Sequence, residues 1–260
     1  MTSRVDAWID ALVARHTASL TMPEFLKAVR ALSARYVESR GRLPDRSPID
    51  SAGKRAAFAA FYAPIHFLTA REIARVLAPE QHAAGPLVDL GCGTGVASAA
   101  WVLDRPGRPS IRGVDLHPWV LQEAQWNWRQ LGLIGTTRRG DLVAIAEELA
   151  AGRTAGGRAD TPFILGWSVN ELARADRQRL LVALTRLAAR GSALIIIEPI
   201  ARSMSPWWEE WVAAFVSLDP PGRADEWKFD VALPPALDRL NDAAGFSSRA
   251  LSARTIVTRL

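Results

Sequence analysis

The 260-residue chain has one cysteine, Cys92, and only three lysines, Lys27, Lys54 and Lys228. A single cysteine excludes an intrachain disulfide and any cysteine-built metal or iron–sulfur site. No metal is expected to take part. No apolar run nears the roughly 18 residues needed to span a bilayer, so no membrane association is expected. The opening MTSRVDAWID carries Asp6 and Asp10 and has no signal-type apolar stretch;. A cytoplasmic location is the expectation that follows. Internal repeats and long low-complexity tracts are also missing.

Of the 32 basic residues, 29 are therefore arginine, which with the abundant alanine suits a GC-rich, bacterial genome. The net charge is +5. The surplus is largest in residues 1–85, which hints weakly at a polyanionic partner. An apolar share of 49% suffices for a core.

Residues 87–95, LVDLGCGTG, carry the most information. Leu87, Val88 and Leu90 read as a short buried strand. Gly91, Gly93 and Gly95 alternate after it, supplying positive φ and close approach. A helix is expected from about Val96, its free N–H groups facing the crevice beyond the strand ends. A dinucleotide fingerprint would put glycine at Val96, and Asp89 would repel a pyrophosphate. Asp89 suits an ammonium group instead. IRGVD (111–115) reads as a second strand ending in Asp115, placed to accept two ribose hydroxyls. A ligand with ribose at one end and an amino-acid ammonium at the other is S-adenosylmethionine. Dinucleotide binding and a vestigial site are the alternatives.

On these residues the sequence resembles the class I S-adenosylmethionine-dependent methyltransferases over about residues 86–199. The resemblance implies that Asp89, Gly91, Cys92, Gly93 and Gly95 line the methionine part of the cofactor. It implies that Asp115 and Leu116 hold the ribose side, that Asp141 and Leu142 lie near the adenine, and that Gly166 and Trp167 lie near the methyl group. For Asp141 an ordinary helix N-cap is the competing reading.

Strands and helices alternate: 136–139 as a third strand, PFILGW as a fourth, SALIIIEP as a fifth with both faces covered. The expected fold is α/β, a doubly wound, mostly parallel Rossmann-like methyltransferase sheet with an N-terminal helical extension. Residues 1–80 are expected to form the extension and 81–260 the methyltransferase domain. Helices are expected over 4–20, 23–39, 52–62 and 65–77, with a proline-rich connection at 41–50. Near the C-terminus SPWWEEWVAAFVSL reads as a helix capped by Ser205, and LPPALDRLNDAAGF as one stopped by Gly245. LSARTIVTRL reads as a strand; the partner of a terminal antiparallel pair is not identifiable.

The segment after the fourth strand should face the methyl group, so Asn170 and Glu171 are candidate catalytic residues, against the alternative that they start the next helix. Glu198, ending the fifth strand, is the candidate base or orienting carboxylate, against a buried ion pair with an arginine. Tyr62 and His66 approach as substrate-binding candidates, with packed core residues as the alternative. Ten tryptophans are present. Trp207 and Trp211 are expected to pack on the core. Trp208 is expected to be the exposed ring that touches substrate, beside Arg202.

The order LSARY, AAFAAFYAPIHFLTAREIARVL, VDLGCGTG, GWSVNEL, IEPIARSMSPWWEEW also resembles the mitochondrial ribosomal small-subunit methyltransferase-like family and its bacterial relatives. That resemblance implies a ribosomal RNA or small-subunit acceptor. The mitochondrial members' iron–sulfur cysteines have no match here, so no cluster-dependent role carries over. A small-molecule N- or O-methyltransferase and a non-catalytic, cofactor-binding ribosome assembly factor are the other readings. Nothing in the sequence speaks to oligomeric state.

Overall fold

In a computed structural model of the chain, residues 3–38, 51–77, 85–152, 161–201, 205–246 and 250–259 are described. The proline-rich connection at 41–50, Arg202 and residues 153–160 of the loop expected at 153–161 lie outside them, as do the side chains of 34–38.

The chain opens with helices α1 (Arg4–Thr17), α2 (Met22–Glu38), α3 (Ala52–Ala57) and α4 (Ala63–Leu77). Ser3 and Asp6 form a reciprocal capping box at the start of α1;. Between α3 and α4 the chain does not break as expected near Pro64. A π-helical turn (Phe58–Tyr62) joins them, with Ala63 N–H reaching Phe58 O. This wider turn ends two residues before Pro64, which has no N–H to give;.

Strand β1 (Leu87–Leu90) then leads the alternating part: α5 (Val96–Leu103), β2 (Ile111–Asp115), α6 (Pro118–Gln130), β3 (Gly135–Arg139), α7 (Leu142–Ala150), β4 (Phe163–Gly166), α8 (Arg174–Ala189) and β5 (Leu194–Glu198). The C-terminal part adds α9 (Trp208–Val216), β6 (Arg223–Asp230), α10 (Pro235–Ala244) and β7 (Ala250–Thr258). The seven strands lie in the order β3-β2-β1-β4-β5-β7-β6. β1 to β5 are parallel; β7 runs antiparallel to both β5 and β6. The doubly wound α/β expectation is met. The strand order reverses between β2 and β4, so the crevice opens above β1.

Side-chain alternation divides the core by sheet face. Leu87, Ile164, Ile195 and Ile197 pack with α1 to α6 and α10. Val88, Leu165, Leu194 and Ile196 pack with α7, α8 and α9. The N-terminal helices thus share their core with one face of the sheet. β5 is buried at every residue, as its continuous apolar run requires;.

The unidentified partner of β7 is β6, RADEWKFD. As an edge strand it keeps Arg223, Glu226, Lys228 and Asp230 toward solvent, with Trp227 and Phe229 packed on the core of one sheet face and Ala224 on that of the other;. That composition hid it among loop-like sequence. The α9 expectation also needs correction: Ser205 does not cap the helix through its side chain. Its carbonyl accepts Trp208 N–H across a turn, and the helix starts at Trp208.

Candidate functional site

The glycine turn after β1 is built by contacts that only glycine permits. Gly95 sits at φ +73, and a Cβ there would stand 2.7 Å from the Trp128 indole. Gly91 sits at φ +72, where a Cβ would stand 2.7 Å from the Ser168 Cβ. The turn is therefore clamped between α6 on one side and the β4 loop on the other. Trp128 Nε1 donates to Gly95 O (2.8 Å) and Asn127 Nδ2 to Thr94 O (2.9 Å).

Asp89, at the penultimate position of β1, is 1% exposed, and neither carboxyl oxygen has a hydrogen-bond partner. Burial pushes it up to about 7; Ser98 pulls it partway back and Asp115 adds to the rise. An orphaned buried carboxylate costs several kcal/mol unless something cationic meets it. Asp115 Oδ2 accepts Gly93 N–H (3.0 Å) and Oδ1 accepts His117 N–H (2.9 Å). These bonds fix the carboxylate at the mouth of the turn and leave each oxygen a second lone pair. Leu116 beside it is 57% exposed, which for a large apolar side chain at a crevice is a ready contact surface;.

Asp141 is the N-cap of α7, its Oδ1 accepting Ala144 N–H (2.8 Å), so the capping reading holds for that oxygen. Leu142 lies against the same turn: a Cβ on Gly91 would stand 2.9 Å from its Cδ2. The Cys92 thiol is buried and pushed upward by burial and by the charges of Asp89 and Asp115, so it is a packing group rather than a nucleophile;.

Beyond Gly166, where a Cβ would stand 2.6 Å from Ala97 Cβ, Trp167 adopts φ +56. That left-handed backbone is unfavourable for a bulky residue. Its indole stacks face to face on His66 of α4, centroids 4.0 Å apart and planes 6° from parallel. Burial holds His66 neutral, down to about 4. Phe58 meets the His66 ring edge-on at 6.5 Å. Tyr62 donates to Val29 O (3.3 Å), and its phenol is pushed up to about 12 by burial, so it stays un-ionised.

Asn170 and Glu171 do not start α8. They lie in a separate 3-10 turn (Val169–Glu171), two residues short of it. The Asn170 Oδ1 is buried without a hydrogen-bond partner. Glu171 reaches solvent on one side, while crowding by protein and the Asp115 charge raise its carboxyl. Glu198 is wholly buried. Its Oε1 accepts Val169 N–H (2.9 Å), its Oε2 is unpartnered, and burial pushes it up to about 8. Across the sheet its register partner is Arg254, whose guanidinium lies 4.2 Å over the Trp208 ring.

Trp208 corrects an expectation: it is 5% exposed, not an open ring, and packs on the sheet face of α7 to α9. Arg254 covers it. Trp207 and Trp211 are buried, as expected. The strand ends thus bring Asp89, Asp115 and Glu171 to one crevice, with Glu198 buried behind the Val169–Glu171 turn, and mutual repulsion links neighbouring pairs among them. Among the described residues no group of three or more His, Cys, Asp or Glu is arranged to hold a metal ion.

Nothing local in the sequence marks Trp8, Asn127, Trp128 and Ser168 as builders of this site. Their partners lie 33 to 119 residues away, and no local pattern encodes such pairings.

No protein-family model matches the chain, and no curated protein matches it. Solved structures similar to it include the mitomycin 7-O-methyltransferase MmcR, at 17% identity over 97% of this chain and 72% of that one, TM-score 0.48. The plantazolicin methyltransferase BpumL in complex with SAH is similar at 10% identity over 90% and 96%, TM-score 0.47. A putative RNA methyltransferase from Pyrococcus horikoshii is similar at 12% over 87% and 99%, TM-score 0.43. What the chain has is a Rossmann-like α/β fold, established by its own strand order and its antiparallel last pair.

Proposed function

We propose that the protein is an S-adenosylmethionine-dependent methyltransferase. The observation that carries this reading is Asp89: a fully buried carboxylate with both oxygens unpaired, at the floor of a glycine turn. A cofactor bearing an ammonium and a sulfonium answers that charge. A pyrophosphate would worsen it. Asp89 and the turn of Gly91, Cys92, Gly93 and Gly95 would hold the methionine portion. Asp115 and Leu116 would take the ribose side, and Asp141 and Leu142 would flank the adenine. When bound, the cofactor supplies an electrophilic methyl group.

The chain's own residues do the rest. Trp167 and His66 form a planar, uncharged wall that excludes water and orients an acceptor, with Phe58 behind it. Glu171 is the carboxylate that reaches solvent in the crevice, with its affinity for a proton raised, and is the group to accept the acceptor's proton. Glu198 is a positioning residue: it is sealed from the crevice and holds the Val169–Glu171 turn through Val169 N–H. Asn170 offers its buried, unpaired Oδ1 to a donor on the acceptor.

A small molecule with a planar ring is the acceptor this site suits best. The support is a roof. Arg55 of α3 lies 5.9 Å over Trp119, just past the Asp115 strand end, and His66 of α4 stacks on Trp167 past β4. Helices α3 and α4 so reach over the strand ends at two points, past β2 and past β4. Strand ends covered by helices favour a small acceptor over a polymer. The basic surplus of residues 1–85 favours the second reading, an acceptor in ribosomal RNA or the small subunit.

Calorimetry with S-adenosylmethionine tests the binding claim; no heat of binding at millimolar ligand ends it. Methyl-labelled donor with fractionated small-molecule extract, and separately with stripped ribosomal RNA, decides the acceptor. Tight binding with no transfer to either fraction points to the non-catalytic role.

A further inference from the structure

Helix α1 meets α6 along one line. Arg4 Nη1 donates to Leu131 O (3.2 Å), Trp8 Nε1 to Asn127 Oδ1 (2.9 Å) and Arg15 Nη2 to Glu123 Oε1 (2.9 Å), with His16 Nε2 at 3.0 Å from Glu123 Oε2. Positions rise along α1 as they fall along α6, at helical spacing, so the two helices lie antiparallel. The outermost contact is solvent-exposed at Arg4, but the middle one is dry: Trp8 is 1% and Asn127 0% exposed.

An indole N–H only donates. It therefore fixes which end of the Asn127 amide faces α1, and turns the NH2 toward Thr94, whose carbonyl accepts it at 2.9 Å. The next residue, Trp128, holds the next carbonyl, Gly95 O, at 2.8 Å. Two consecutive α6 side chains thus pin two consecutive peptides of the glycine turn. The orientation of the first is set from 119 residues away.

We propose that Trp8 is a positioning residue for the cofactor turn, acting through Asn127 on the Thr94–Gly95 peptide. The N-terminal helix is then part of the cofactor site without touching the cofactor. Without the indole donor, the Asn127 amide is free to rotate, the Thr94 carbonyl loses its fixed donor, and the turn samples other peptide orientations. The consequence for binding rests on the methyltransferase reading. The consequence for the turn does not.

The test uses the full chain and two readouts: amide hydrogen exchange of Gly93 and Gly95 without ligand, and the S-adenosylmethionine dissociation constant. Trp8→Phe keeps a packed ring and removes the donor. It is expected to speed both amides and to weaken binding, each by about fivefold, the loss of one net hydrogen bond. Asn127→Leu should do the same, and adding Trp8→Phe to it should change nothing further. Arg4→Ala removes an α1–α6 contact outside the relay and should leave both readouts unmoved. Additive effects of the two relay substitutions, a general rise in exchange across the sheet, or an unchanged turn in Trp8→Phe overturns the proposal. A parent protein that binds no cofactor overturns the methyltransferase reading alone, since exchange still judges the relay.

Discussion

Replacing Asp89 with Asn removes a charge that the ligand-free fold buries without a partner. The carboxyl is pushed from 3.8 to about 7. The sign follows from that direction: in the unfolded chain it ionises near 4, in the folded protein near 7. Its penalty is therefore absent below about pH 4, grows between pH 4 and 7, and is constant above. The full penalty is the shift times 1.36 kcal/mol per unit, about 4 kcal/mol at pH 8. Asparagine still buries an amide with unmade hydrogen bonds, costing about 1–3 kcal/mol. The net gain is then about 1–3 kcal/mol, or roughly 2–10 °C in Tm for a chain of this size. The same substitution removes the ammonium's counter-charge and should weaken cofactor binding by one to two orders of magnitude, from about 1.5–3 kcal/mol of charge-assisted hydrogen bonding. Thermal denaturation from pH 4 to 8 and calorimetry at pH 8 read the two effects. A variant less stable than the parent at pH 8, or a gain that does not shrink toward pH 4, refutes the buried-charge argument. Undiminished binding refutes the assignment of Asp89 to the ammonium.

For the parent protein, cofactor affinity should rise with pH up to about 7 and then level, because binding requires the ionised Asp89; calorimetry in buffers of differing ionisation heat would also show proton release. Asp115→Ala should weaken binding about 10- to 100-fold, and an unchanged dissociation constant rejects the ribose assignment. Gly95→Ala forces a Cβ against Trp128 at a positive φ and should cost about 2 kcal/mol or more, read as a lowered denaturation midpoint;. Glu198→Gln keeps an acceptor for Val169 N–H and should retain activity, whereas Glu198→Ala should not; loss in both would make Glu198 a base rather than a positioning residue.

Much of the fold is written locally. The continuous apolar β5, the glycine stop after α10 and the strand–turn–helix around Asp89 follow from side-chain periodicity and backbone permission, which act over a few residues. Chemical type alone also marks Asp89 and Asp115, because a carboxylate at a strand end beside a glycine turn is unusual wherever the chain goes next. Other features depend on which distant surfaces meet. β6 is a strand because β7 offers an unpaired edge, not because RADEWKFD demands it. Trp208 is buried because Arg254 lies over it, and Trp167 is fixed in a left-handed conformation where His66 of a separate helix stacks on its ring. Trp8 gains its role only when α1 settles along α6. Propensity is a property of neighbours in sequence; burial, stacking and an amide's orientation belong to neighbours in space, and those the folded chain alone determines.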